Sequence, residues 1–193
     1  MKYDQIEISR WPVVIYANYR SGSNVLGKSL AAEYNAKWYP EPIRDTTRYT
    51  SFLNHYYSED KKYIVKFMPD QKDQIKETKD IFNSDCFKIR LIRKDEFEQI
   101  VSYYIASCRD QWVQNTPTVG EYSLGIDYKI LEFVIETIKN NNKKLYEDQT
   151  VFDHTLFYED LDFENNASHI FKTTPPKNID SLRSIIKRIY DHI

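Results

Sequence analysis

The stretch 12–34, PVVIYANYRSGSNVLGKSLAAEY, limits what this chain can fold into more than any other. Val13 to Ala17 is a short apolar run with β-branched residues, the pattern of a strand buried on both faces. Asn18 to Asn24 is polar and carries one glycine. Leu26, Leu30 and Tyr34 then recur every four residues, which lays them along one face of a helix starting near Asn24 or Val25. Strand, tight loop and helix in this order leave the first backbone N–H groups of the helix unpaired and facing the loop. With the positive end of the helix dipole behind them, they suit a phosphate or a sulfate. Arg20 adds a permanent positive charge to the same loop.

The rest of the chain repeats the alternation. Lys61 to Met68, KKYIVKFM, reads as a second buried strand, and Pro69-Asp70 opens a helix over Gln71 to Phe82. Cys86 to Ile92 is a third strand. It runs through a turn into a helix for which Asp95 is the N-cap, Glu98 its capping-box partner, and Phe97, Ile100, Val101 and Tyr104 the apolar face. Tyr128 to Lys143 is an amphipathic helix, Thr150 to Phe157 a fourth strand, and Ser181 to Ile193 a final helix. The stretch 38–61 reads as irregular, with Pro40 and Pro42 holding Glu41 extended and Trp38, Tyr39, Tyr56 and Tyr57 available to wall a pocket. The polar stretch 107–125 reads as a lid or acceptor loop.

Short buried strands alternating with helices imply an α/β fold, a parallel sheet flanked by helices on both faces, in one compact domain over 1–193. Ligands of such sheets bind outside the carboxyl ends of the strands, where Arg20, Lys66 and Arg93 fall. A net charge of −2 argues against general nucleic-acid binding, so charged ligands must be met locally. Two cysteines are too few for a disulfide framework, the N-terminus shows no apolar signal region, and no apolar run nears the roughly 18 residues of a membrane span. The expectation is a soluble, reduced, cytoplasmic protein without membrane or nucleic-acid partners.

Two readings of the first loop compete. Gly22 to Ser29, GSNVLGKS, matches the phosphate-loop pattern G-x-x-x-x-G-K-[ST] literally, which implies a small-molecule kinase or nucleoside triphosphatase. Alternatively YRSGSN is itself the anion loop, and Gly27, Lys28 and Ser29 already belong to the helix. On that second reading the strand and YRSGSNVL resemble the 5′-phosphosulfate loop of sulfotransferases that use 3′-phosphoadenosine 5′-phosphosulfate (PAPS), with Asn24 in place of the usual threonine.

Further motifs in the same order are similar to the bacterial trehalose 2-sulfotransferase and carbohydrate sulfotransferase branch: IVKFMPDQ, RKDEFEQIVS, DQW and FYEDL. The resemblance implies a P-loop-like sulfotransferase fold and in-line transfer of a sulfuryl group from PAPS to an acceptor hydroxyl on a small molecule or glycan. The product would be adenosine 3′,5′-bisphosphate (PAP), and no metal would be required. It assigns Arg20, Ser21, Gly22, Ser23 and Asn24 to the phosphosulfate, and either Arg93 or Lys94, with Ser102, to the 3′-phosphate. It makes Glu41, in its P-x-E setting, the general base, with a pKa raised by its aromatic neighbours. Arg20 then acts on the transition state. His55 is the other base to weigh, and Lys66 and Trp112 are acceptor-side residues. A third reading is a nucleotide-binding module without chemistry.

Overall fold

A computed structural model of the chain describes residues 6–109, 122–161 and 175–192. Five strands, β1 Val13–Ala17, β2 Lys37–Pro40, β3 Tyr63–Phe67, β4 Phe87–Ile92 and β5 His154–Phe157, form one sheet in the order β2-β3-β1-β4-β5, every pair parallel. The described residues fall into two compact units. The first holds the sheet with helices α1 Ser23–Glu33, α2 Thr46–Tyr56 and α3 Lys76–Asn83, and with the end of α5 Tyr128–Glu147 from Asn141 onward. The second holds α4 Glu96–Arg109, the earlier part of α5, and α6 Ile179–Tyr190.

Alternation along β1 divides the first unit's core in two. Val13, Ile15 and Ala17 join Ile64, Ile89 and Leu91 under Leu26, Leu30 and Ala31 of α1. Val14 and Tyr16 join Val65 and Phe67 under Phe52 of α2, Ile81 and Phe82 of α3, and Leu145 of α5. Helices therefore cover both faces, and all five residues of β1 are buried, as its unbroken apolar run requires.

Residues 38–61 are not irregular. Lys37–Pro40 is the edge strand, where a terminal proline is tolerated because its missing N–H faces no further strand, and Thr46–Tyr56 is a full helix capped by Asp45, whose carboxylate accepts from the Arg48 N–H at 2.8 Å. The expected pocket wall is dispersed. Trp38 packs into the α1 side of the core, Tyr39 is buried on the other side, and Tyr57 is exposed with its hydroxyl on Glu77. α3 begins at Lys76 rather than Gln71, because turns occupy the residues between.

In the second unit Asp95 accepts from the Glu98 N–H at 2.9 Å, the first half of the capping box. The Glu98 carboxylate, however, pairs with Arg183 of α6 at 2.9 Å. Among the described residues no helix is long and apolar enough to cross a membrane.

Candidate active site

Because all five strands run parallel, their carboxyl ends share one edge, and each delivers a polar residue there within a few positions of its last strand residue. Arg20 follows β1, Glu41 follows β2, Asp70 follows β3, Arg93 follows β4 and Tyr158 follows β5.

The loop after β1 is braced from within. The Asn18 side chain accepts from the Tyr19 N–H at 2.7 Å and donates to Asn142 Oδ1 at 2.7 Å, while the Ser21 hydroxyl donates to the Asn18 carbonyl at 2.7 Å. The Ser21 hydroxyl is thus committed to the loop's shape. Arg20 and Gly22 both take left-handed backbone, at φ 54° and 77°. For Gly22 this is easy. For Arg20 it costs on the order of 1–3 kcal/mol, and the Asn18 bracing holds it there.

Helix α1 then starts at Ser23, directly after that glycine, with no side chain capping it and no acidic residue in its first turn. Its N-terminal amides and dipole have no built-in anion. This start bears on the two readings of GSNVLGKS. A phosphate loop wraps its ligand before the Gly-Lys step, whereas here Gly27, Lys28 and Ser29 sit within the helix, and Lys28 is exposed. Gly27 has another reason to be glycine: a Cβ there would lie 2.3 Å from the Trp38 indole. It lets β2 approach α1.

Arg93 reaches the same loop. Its Nη1 donates to the Arg20 carbonyl at 3.0 Å, its guanidinium lies 4.8 Å from the centre of the Tyr158 ring, and its Nε is buried without a hydrogen-bond partner. Burial first, and the Arg93 charge second, lower the Arg20 pKa, while Tyr158 acts the other way. Two cationic side chains thus share the loop that opens α1, where negative charge on a ligand would be favoured. Lys94 is engaged elsewhere: both oxygens of Asp160 sit 2.9 Å from its ammonium, and the Glu159 carboxylate accepts from its N–H. Of the two side chains that resemblance offered for the 3′-phosphate, Arg93 is the one that turns to the loop. Ser23 is buried and Asn24 exposed. Ser102 lies on α4 in the second unit.

Glu41 differs from expectation in both geometry and charge. Its backbone is left-handed, φ 51° and ψ 62°, as the N-cap of a short 3₁₀ turn over Pro42–Arg44, and not extended. It is only 7% exposed and accepts from Lys66 Nζ at 2.7 Å, with Lys66 itself 3% exposed. β2 pairs with β3 so that Pro40 sits opposite Lys66, which brings the two side chains together. Burial alone pushes the Glu41 carboxyl upward. Lys66, by charge and hydrogen bond, with Arg44 and Arg48 behind it, brings it below the ordinary glutamate value. The expected raised pKa is therefore reversed.

His55 is placed apart from these groups. It packs on Tyr63, the first residue of β3, at 4.9 Å between ring centres, with Tyr39 Oη 3.1 Å from Nδ1. That is the amino end of the sheet. Trp112 lies outside the described residues. Among the described residues no group of three or more His, Cys, Asp or Glu could hold a metal ion.

Asp70 and Tyr158 were not singled out by the sequence. Both lie in motifs of the resemblance, Asp70 in IVKFMPDQ and Tyr158 in FYEDL, to which no site role was attached.

No protein-family model matches the chain, and no curated protein does. Among solved structures, the chain is similar to one described as an uncharacterized protein from Eubacterium ventriosum ATCC 27560, at 14% identity and a TM-score of 0.43, covering 94% of this chain and 98% of that one. A likeness of that degree says nothing about chemistry.

Proposed function

We propose that the chain is a PAPS-dependent sulfotransferase that moves the sulfuryl group to an acceptor hydroxyl, on a carbohydrate or another small molecule. The observation that carries this reading is that Arg93, from the end of β4, donates to the backbone of the Arg20 loop, which follows the adjacent β1 and opens into the uncapped N-terminus of α1. A donor with anionic groups at its 3′ and 5′ positions has use for two guanidiniums and a set of helix amides. The unmet Nε of Arg93 gives such a donor a buried N–H to bind. When bound, PAPS supplies an activated sulfuryl group with a phosphate as its leaving group.

The chain's own residues then have separable tasks. The α1 amides and Arg20 hold the 5′ end and receive the charge that builds on the leaving oxygen, and Arg93 grips the 3′-phosphate with its planar fork. The order of YRSGSN, IVKFMPDQ and RKDEFEQIVS along the chain supports the sulfotransferase reading over a generic phosphate site. The kinase reading loses support because Lys28 is on the helix and exposed. Glu41 is the base that the resemblance implies, although its ion pair with Lys66 makes it a weak proton acceptor.

The 3′-phosphate assignment is tested by calorimetry with PAP and with adenosine 5′-monophosphate. The wild type binds PAP the more tightly, and Arg93→Ala removes most of the difference. Equal affinities in the wild type would show the second anchor to be misassigned.

A further inference from the structure

Resting on the sulfotransferase reading, we propose that Asp70 is the catalytic base that takes the proton from the acceptor hydroxyl, and that Glu41 instead holds Lys66 in place beside it. Asp70 stands three residues beyond β3, the neighbour of the central strand β1, in a braced turn. The Gln71 N–H donates to the Met68 carbonyl at 2.9 Å, and Gln71 Oε1 accepts from the Met68 N–H at 3.1 Å, with Gln71 buried. Pro69 occupies the first central position of that turn, where its fixed φ stiffens it, and Asp70 the second. Two residues on, Lys72 is tied to Asp148 at 2.6 Å and to Thr150 at 2.7 Å. The backbone on either side of Asp70 is thus fixed, which sets the point from which its half-buried carboxylate projects.

One of its oxygens, Oδ1, is buried with no hydrogen-bond partner. A buried carboxylate oxygen left unsatisfied costs free energy, and an acceptor O–H donating to it would relieve that cost.

The surrounding charges agree. Asp70 is raised above the ordinary aspartate value by burial first. Its own backbone N–H and Lys144 of α5 partly offset this, Glu41 adds to the rise, and Lys66 opposes it. Glu41, ion-paired with Lys66, is lowered and Asp70 is raised, and the raised carboxylate is the better base at neutral pH.

The step balances. The acceptor oxygen forms a bond to sulfur as the bond from sulfur to the 5′-phosphate oxygen breaks. The electron pair of that bond stays on the phosphate beside Arg20, and the hydroxyl proton passes to Asp70 and then to water.

The test combines PAP calorimetry with turnover of sulfur-labelled PAPS, using water and a panel of mono- and disaccharides including trehalose as acceptors. Asp70→Asn keeps the turn, so its melting temperature and PAP affinity stay near wild type while kcat falls about 10²- to 10⁴-fold. The acid limb of the wild-type kcat profile, which lies above the ordinary aspartate pKa, is lost with it. Formate added to Asp70→Ala restores part of the turnover, which a merely structural role would not allow. Wild-type turnover in Asp70→Asn with PAP bound normally overturns the assignment, as does a wild-type protein that binds PAP and transfers to none of these acceptors. Failure of the wild type to bind PAP removes the sulfotransferase reading itself, and the base assignment falls with it.

Discussion

Replacing Arg20 with alanine lowers kcat by about 10²-fold or more, while affinity for PAP falls by much less. The asymmetry follows from where the guanidinium sits. Arg20 stands three residues before α1 in a left-handed backbone conformation that the Asn18 bracing supports, so its backbone is set before any ligand arrives. Ground-state binding also draws on the helix amides and Arg93, which the substitution leaves intact. The charge that grows on the leaving oxygen is a transition-state feature, and the nearest permanent cation meets it. Burial first, and the Arg93 charge second, lower the Arg20 pKa, so negative charge on the leaving oxygen is favoured beside it. Single-turnover kinetics with labelled PAPS separates the two quantities. A kcat near wild type would remove Arg20 from the chemistry.

The buried pair of Lys66 and Glu41 gives the second large effect, this time on stability. Glu41→Gln leaves Lys66 without its buried counter-charge and loses about 3–5 kcal/mol, whereas Lys66→Met leaves Glu41 with only the more exposed Arg44 at 3.5 Å and loses somewhat less. The double variant loses clearly less than the two added together, because it buries no orphan charge. Acid should imitate the loss. The folded-state pKa of Glu41 lies below its unfolded value, so the stabilisation is complete above the ordinary glutamate range and disappears as pH falls through the folded pKa. Denaturant unfolding at neutral pH and again below pH 4.5 measures both effects. Additive single losses, or a stability that does not fall on acidification, would refute the pairing.

How much of this could be read from the residues depended on the range of the interaction. β1 was legible residue by residue because a strand buried on both faces writes itself as an unbroken apolar run. The anion loop was legible because Arg20, Gly22 and the helix that starts behind them are contiguous. β2 was hidden: an edge strand of four residues, mostly part-exposed and ending in Pro40, carries neither alternation nor an apolar run. α2 was hidden with it, because Phe52 is its one fully buried side chain. Glu41 was found from its setting, yet its chemistry was misread, since the partner that lowers its pKa stands 25 positions away and is brought in by the pairing of β2 with β3. Asp70 was passed over as part of a helix start, because nothing local shows that the turn continues through to Ile75 before α3 begins. The stacking of Arg93 on Tyr158 joins the ends of β4 and β5, and no sequence spacing records it.

Calorimetry of the whole chain with PAP in metal-free buffer, set against ATP with Mg²⁺, puts the central claim most directly. On this account PAP binds without metal and raises the melting temperature in proportion to its concentration over Kd, whereas MgATP does so poorly. Tight binding of MgATP with no response to PAP would contradict it and return the loop after β1 to the kinase reading.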